Sequence, residues 1–334
     1  MMVMANEIIS VKDLVTYFFT EAGVVKAVDG VSFAIDEGES VGLVGESGSG
    51  KTVTALTMMG IVQRPGKIVS GEIFYRGQNI LKMSEDEARK IRGKKIGMVF
   101  QDPNSSLDPL YTVGNQLTEV VRVHSKISKK EAYQKALSLL ELVKISEPEA
   151  RLRAYPFELS GGMKQRVATA RALAGEPEVL IADEPTTNLD VTIQAQVLEL
   201  LKDLRKELGM TLILITHDMG IIAEMTTKIV VLYAGRVAEI ASTKDLYRTP
   251  RHPYTAALLR AVPRVDVRKQ LVPIAGNIPN LINPPTGCRY HPRCPYSTQD
   301  CVDQIPPLET IEGNRQVSCH HWKDLADKKE LVIA

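Results

Sequence analysis

Eight consecutive residues, Gly45-Glu46-Ser47-Gly48-Ser49-Gly50-Lys51-Thr52, constrain this chain more than any other feature. They fit G-x-x-x-x-G-K-[ST] without deviation. The run Ser40–Val44 before them is short and apolar and reads as a strand, and an apolar helix is expected from Lys51. In a strand–loop–helix of this kind the backbone N–H groups of the turn converge on phosphate oxygens, and the helix adds the positive end of its dipole. Lys51 supplies a point charge for the β- and γ-phosphates and Thr52 a hydroxyl for Mg²⁺, with Val53 in the first helical turn beside them. Such a loop is a part of α/β architecture, so a parallel sheet covered by helices is expected.

The rest of the chain supplies candidates for that sheet. Glu178–Asp183, Met210–Thr216 and Lys228–Tyr233 are continuous apolar runs, as expected of strands covered on both faces. Asp183 and Glu184 end the first of them, where carboxylates point into a ligand crevice. Asp183 is a candidate for Mg²⁺ and Glu184 for the general base that polarises an attacking water. His217, directly after the second run, is a candidate contact for a terminal phosphate or its water. Gln101, after the apolar stretch IGMVF, is a candidate for both Mg²⁺ and the water. Val191–Leu208 reads as a helix capped by Asp190 and Gly209, with Ile193, Val197, Leu201, Leu204 and Leu208 in one stripe. Val24–Ile35 reads as a strand, residues 85–154 as mainly helical, and Lys129–Ile145 as an amphipathic helix.

A chain of 334 residues is long enough for two domains, or for one with an appendage. With 41 Lys and Arg against 40 Asp and Glu, no global field favours nucleic acid or an anionic membrane. Aromatic residues are 5 % of a chain that is 44 % hydrophobic, so the core is expected to be aliphatic. No apolar run approaches the ~18 residues of a membrane span, and the first residues lack the pattern of a secretory leader, so a cytosolic protein is expected. Prolines become dense after Ile240, and all four cysteines, Cys288, Cys294, Cys301 and Cys319, lie in that region. A loop-rich appendage that needs a staple is expected there, and in a reducing compartment clustered thiols point to metal before disulfides. Their spacing, C-x5-C-x6-C-x17-C, contains no C-x2–4-C pair of a structural zinc site and does not match a ferredoxin. Four thiolates suffice for a 4Fe–4S cluster, and His291, His320 and His321 are potential substitute ligands.

The order of the loop at 45–52, Gln101, Leu159-Ser160-Gly161-Gly162-Met163, the VLIADE strand, Asn188-Leu189-Asp190 and His217 resembles that of ATP-binding cassette (ABC) ATPases. Met163 stands where the family commonly has Gln. Ser160, Gly161 and Gly162 open a helix expected over Met163–Ala174 and form a second anion site. The resemblance implies that this site serves ATP held by a partner cassette, so that two cassettes close head to tail on two ATPs. It implies that Asp190 contacts the opposite subunit and that Phe19, with Tyr17 as the other choice, stacks on adenine. Pro250-Arg251-His252-Pro253-Tyr254-Thr255, Leu258-Leu259, Pro263 and Gly287–Pro295 resemble the C-terminal extension of the dipeptide/oligopeptide importer subfamily.

The fold implied is an α/β ABC-type phosphate-loop ATPase with a RecA-like parallel core, an N-terminal antiparallel β subdomain and a helical subdomain at about 102–175. The cassette would span 1–240, and 241–334 would be a small loop-rich metal-binding domain carrying a 4Fe–4S cluster, with zinc as the alternative. The implied function is ATP hydrolysis powering peptide import. The implied partners are a second ATPase subunit (a paralogue or the same chain), two transmembrane permease subunits and, indirectly, an extracytoplasmic peptide-binding protein. The protein would sit on the cytoplasmic face of the membrane without binding nucleic acid. The alternative is a soluble cassette ATPase of DNA repair or translation.

Overall fold

The computed structural model describes residues 6–262 and 273–325; Pro263 of the tail motif lies outside them. In chain order the strands are β1 (Glu7–Thr20), β2 (Gly23–Asp36), β3 (Ser40–Val44), β4 (Gly66–Tyr75), β5 (Gln78–Asn79), β6 (Ile96–Val99), β7 (Val179–Asp183), β8 (Thr211–Ile215), β9 (Lys228–Tyr233), β10 (Arg236–Ser242), β11 (Glu309–Thr310) and β12 (Gln316–Val317). Two compact units emerge, one joining the residues up to Lys82 with those from Ile215 onward, the other running from Met83 to Leu214.

The first unit holds an antiparallel sheet in the order β2-β1-β4-β5. Strand β1 buries Ile8, Ile9, Ser10 and Val11 in one run and then Leu14 and Thr16, with Lys12 and Asp13 breaking the run. The break is a bulge: Asp13 has φ 46°, and the register of β1 against both neighbours shifts beside it. Gly71 faces that bulge with φ +97°, and a Cβ there would lie 2.6 Å from the Asp13 carbonyl oxygen. The unit's other strands run in the order β3-β9-β10-β12-β11, β3 and β9 parallel and the rest antiparallel. All five residues of β3 are buried, as a continuous apolar run requires. Strand β10 runs through residue 240, where a domain boundary was expected, and the tail strand β12 pairs with it at Glu239 and Ile240. The first helix, α1 (Lys51–Met58), follows β3 through the glycine-rich loop.

In the second unit β8, β7 and β6 lie side by side, with β6 and β7 parallel and the β8 amide of Thr211 donating to the Glu178 carbonyl at 2.9 Å. The region expected to be mainly helical therefore contains one strand: IGMV, buried throughout, pairs in parallel with β7. The helices are α2 (Glu85–Ile91), α3 (Pro103–Ser106), α4 (Val113–His124), α5 (Lys129–Leu142), α6 (Pro148–Arg153), α7 (Gly161–Leu173) and α8 (Val191–Leu208). Helix α8 has both expected caps: Asp190 Oδ1 accepts from the Ile193 amide at 2.9 Å, and Gly209 ends it at φ 63°. Its buried stripe is Val197, Leu200, Leu201 and Leu204, while Leu208 in the last turn is 48 % exposed. In the first unit follow α9 (Met219–Met225), α10 (Thr243–Arg248), α11 (Pro253–Arg260), α12 (Gln299–Asp303) and α13 (Trp322–Leu325). No helix among the described residues is long and apolar enough to cross a membrane.

Candidate active site

The loop between β3 and α1 is shaped by glycines at positive φ. Gly45 has φ +150° and Gly50 φ +101°, and a Cβ on either would lie within 2.5 Å of a carbonyl oxygen, of Leu232 or of Ala27. No larger residue fits either position without moving the backbone. Lys51 is 6 % exposed and curls back over the loop, its Nζ donating to the carbonyls of Gly45 (2.8 Å) and Glu46 (3.0 Å). The loop is further held by the Gly235 amide, which donates to the Ser49 carbonyl at 2.9 Å. Ser47 and Gly48 form its exposed rim, and Thr52 and Val53 open α1 half-buried. With no carboxylate in its first turn, α1 presents its amide end unscreened by acidic side chains.

The carboxylates belong to the second unit. Asp183, at the end of β7, is 1 % exposed. Glu184 follows at φ 44°, a left-handed conformation that non-glycine residues adopt at a cost and that clusters at functional sites. The turn is over-determined: the Thr187 amide donates to the Glu184 carbonyl at 3.2 Å and the Thr187 hydroxyl to Glu184 Oε2 at 2.9 Å. Gln101, exposed after β6, donates from Nε2 to the same Oε2 at 2.9 Å. The structure thus brings Gln101 and Glu184 together, and it adds Thr187, which the sequence reading missed. Its only sequence signal is its place three residues after Glu184 in a Pro-led turn. His217, two residues beyond β8, is exposed, and the next residue, Asp218, caps α9 through its Oδ1.

Helix α7 begins at Gly161, two residues before the expected start, because Ser160 is its N-cap and accepts from the Met163 amide at 3.4 Å. Gly162 packs so closely on α8 that a Cβ would meet Ile193 Cγ2 at 2.6 Å; Gly161 faces Leu189. The Ser-Gly-Gly turn and the Asn188-Leu189-Asp190 segment therefore form one exposed ledge, with Ser160, Gly161 and Asp190 all open to solvent.

In the first unit, the two aromatic candidates differ in freedom. Tyr17 donates its hydroxyl to Asp29 Oδ1 at 2.6 Å, and burial, with Asp29, pushes its pKa up to about 12. Phe19 is 49 % exposed. The four cysteines line one small cavity with His252, His291 and Tyr290 among its walls. Burial pushes the Cys288 thiol up, Cys294 to about 11 and Cys319 to about 12. The histidines are engaged elsewhere, His291 Nδ1 with the Cys288 carbonyl (2.9 Å), His321 with the Thr298 hydroxyl (2.7 Å) and His320 with the Gln304 carbonyl (3.0 Å). Among the described residues no group of three or more such side chains stands at metal-holding geometry, so the fold by itself does not support the expected metal-binding domain.

The tail also touches the phosphate loop, which the sequence placed far upstream. Tyr254 and Arg293 both reach Glu46. Nothing in residue spacing signals these contacts, which span more than 200 positions.

The family description "ABC transporter" matches residues 28–187, and "Oligopeptide/dipeptide transporter, C-terminal region" matches 238–301. The chain is 46 % identical over 322 residues to the probable peptide ABC transporter ATP-binding protein y4tR of Sinorhizobium fredii, covering 96 % of each chain. It is 44 % identical to the dipeptide transport ATP-binding protein DppD of Escherichia coli, over 97 % of this chain and 99 % of that one. Against the oligopeptide transport ATP-binding protein AppD of Bacillus subtilis the identity is 46 %, over 96 % and 98 %. Among solved structures, a dimeric ATP-binding cassette in a post-hydrolysis state with ADP and Pi superposes with a TM-score of 0.63 at 31 % identity, covering 70 % of this chain and 98 % of that one. With the glycine loop, the acidic strand end and the Ser-Gly-Gly helix start all present, the chain belongs to the ABC transporter family, as one of its ATP-hydrolysing subunits.

Proposed function

We propose that this chain powers the import of di- or oligopeptides through a membrane-embedded transporter by hydrolysing ATP. The observation that carries the substrate class is the tail, whose residues 238–301 match the oligopeptide/dipeptide transporter C-terminal region. In this reading Gly45–Thr52 cradle the phosphates, Phe19 stacks on adenine, and Thr52, Asp183 and Gln101 hold Mg²⁺, which neutralises phosphate charge. Glu184 is the general base, and His217 steadies the terminal phosphate. Ser160, Gly161, Gly162 and Asp190 serve the nucleotide of a second subunit, a paralogue or another copy.

The second unit carries a surface suited to a permease partner. An open groove of about 1090 Å³ is lined by Tyr111, Asn115, Glu119, Val123, Tyr133 and Arg153, among others, and Tyr111 and Val123 are 55 % and 72 % exposed. Mixed apolar and charged lining suits a short amphipathic segment of a membrane subunit on the cytoplasmic face. Co-expression with permease subunits tests the reading. Detergent extraction is expected to bring down integral membrane subunits, with ATPase activity rising on addition of a peptide-loaded external binding protein. Recovery with nucleic acid in their place would point to DNA repair or translation.

The head-to-tail arrangement makes its own prediction. Lys51→Ala removes a charge-assisted contact and is expected to weaken MgATP binding to the isolated subunit roughly 10–100-fold. Ser160→Arg is expected to leave that binding unchanged and to abolish nucleotide-dependent dimerisation in light scattering. Equal loss of monomer binding in both variants would sink the arrangement.

The four cysteines are proposed to hold a 4Fe–4S cluster. Their shared cavity supports this, and a bound metal would favour the thiolate form that burial otherwise opposes. Anaerobically purified protein is expected to be brown with about four irons per chain, and Cys288→Ser to bleach it. One zinc in colourless protein would replace the cluster, and a tail that resists protease with no metal would exclude both.

A further inference from the structure

Glu46 is the second residue of the phosphate loop, and the C-terminal extension holds it at two points. The Tyr254 hydroxyl accepts from its backbone N–H at 2.9 Å. Arg293 grips its carboxylate in a fork, Nη1 to Oε2 at 2.8 Å and Nη2 to Oε1 at 3.1 Å. The loop's own Lys51 takes the Glu46 carbonyl. Backbone N–H, carbonyl and carboxylate of one loop residue are thereby fixed by three different side chains.

The two tail residues are themselves rigidly mounted. Tyr254 is fully buried in α11, where the preceding His252 caps the helix, its Nδ1 accepting from the Tyr254 amide at 3.0 Å. Burial keeps His252 neutral, its pKa pushed down to about 4, so the ring nitrogen stays an acceptor at neutral pH. The Arg293 side chain is 5 % exposed; its Nε donates to the Ala275 carbonyl at 2.8 Å and its guanidinium stands 5.7 Å from the Tyr233 ring centre. Tyr233 ends β9, the strand parallel to β3, and packs against Tyr254 (4.5 Å between ring centres) and Tyr290 (5.1 Å). An arginine held in this way costs little further entropy to present its fork. Its Nε is spent on the tail carbonyl of Ala275, and its two terminal nitrogens form a fork that matches the planar carboxylate of Glu46.

We infer that Arg293 and Tyr254 are positioning residues for the phosphate loop, so that nucleotide affinity depends on the docked C-terminal extension. The inference rests on the loop at 45–52 being the nucleotide site. Arg293 lies between Cys288 and Cys294 in sequence, and Tyr290 is among the walls of the cysteine cavity.

A double-mutant cycle in the full-length protein tests this, with binding of a fluorescent ATP analogue and Mg²⁺ as the readout. Arg293→Ala and Glu46→Ala are each expected to weaken binding about ten-fold, within the range of residues that act on a site without touching its ligand. The double variant is expected to be no weaker than either single one, because the pair acts as a unit. Arg293→Lys keeps the charge and loses the fork, and should recover only part of the affinity. Tyr254→Phe should weaken binding without loosening the tail to protease. Lys51→Ala serves as the control: if it too leaves binding intact, the nucleotide site itself is misplaced. If Lys51→Ala loses binding while Arg293→Ala and Glu46→Ala stay within two-fold of the parent, or if their effects add, the inference falls. Should Arg293→Ala fail to fold, Glu46→Ala and Arg293→Lys decide the same question from the loop side and by the conservative change.

Discussion

Glu184→Gln is expected to slow ATP turnover about 10²–10⁴-fold, the usual loss when a positioned general base is removed. The substitution keeps shape and most hydrogen bonding: the amide oxygen can still accept from the Thr187 hydroxyl, which now sits 2.9 Å from Oε2. It removes basicity, and it introduces an N–H beside Gln101, whose Nε2 donates to the same oxygen at 2.9 Å in the parent. MgATP affinity should therefore hold while the chemical step fails, so kcat falls and binding does not. A closed dimer that outlives its hydrolysis step should accumulate, visible as a nucleotide-dependent dimer peak in size-exclusion chromatography. Single-turnover kinetics supply the check. A variant that cleaves bound ATP at the parent rate would remove Glu184 from the role and shift attention to His217. Thr187→Val offers a weaker companion: it leaves the carboxylate but frees one of the contacts that hold Glu184 at its positive φ, and should lower kcat with no change in affinity.

Much of this site was legible because its parts are local in sequence. A glycine-rich loop between an apolar strand and a helix, an acidic pair closing an apolar run, and a Ser-Gly-Gly helix start each encode their geometry within eight residues. Helix α8 was legible for the same reason, with Asp190 and Gly209 as its caps; the two ends of its expected stripe leave the core, Ile193 half-buried and Leu208 48 % exposed in the last turn. What escaped was non-local. The bulge at Asp13 depends on Gly71 across the sheet, so neither residue signals it alone. Strand β6 hid inside a helical region because four apolar residues carry no period. The dense prolines suggested a tail standing apart, yet β12 extends the sheet at β10, and Arg293 and Tyr254 reach the phosphate loop. Likewise, clustered cysteines state which ligands are available but not where four sulfurs lie relative to one another.

One buried charge joins the extension to strand β10. Glu239 in β10 is fully buried and accepts from the Arg251 and His252 amides at 3.0 Å each, while Arg315 donates to it from Nη2 at 2.6 Å and from Nε at 3.2 Å. Arg315 also donates to the Thr249 carbonyl, so one carboxylate ties β10, the entry to α11 and the hairpin of β11 and β12 into a single knot. A buried ion pair stabilises little against a well-packed apolar replacement, but removing one partner strands the other. Glu239→Ala is therefore expected to cost about 3–5 kcal/mol. That cost leaves two amides and a guanidinium without their acceptor, and it falls on the docked extension before it reaches β3 or β9. Arg315→Ala should be milder, since Glu239 keeps both amide donors. The double variant should be less damaged than the sum of the two. Hydrogen exchange followed by peptide mass spectrometry measures the effect where it arises: residues 249–262 and 306–320 should lose protection while 40–44 and 228–233 keep theirs. If the coupling inferred for Arg293 holds, nucleotide affinity falls in step with that loss of protection. Exchange that rises uniformly along the chain would show instead that Glu239 supports the cassette as a whole and not the seating of its tail.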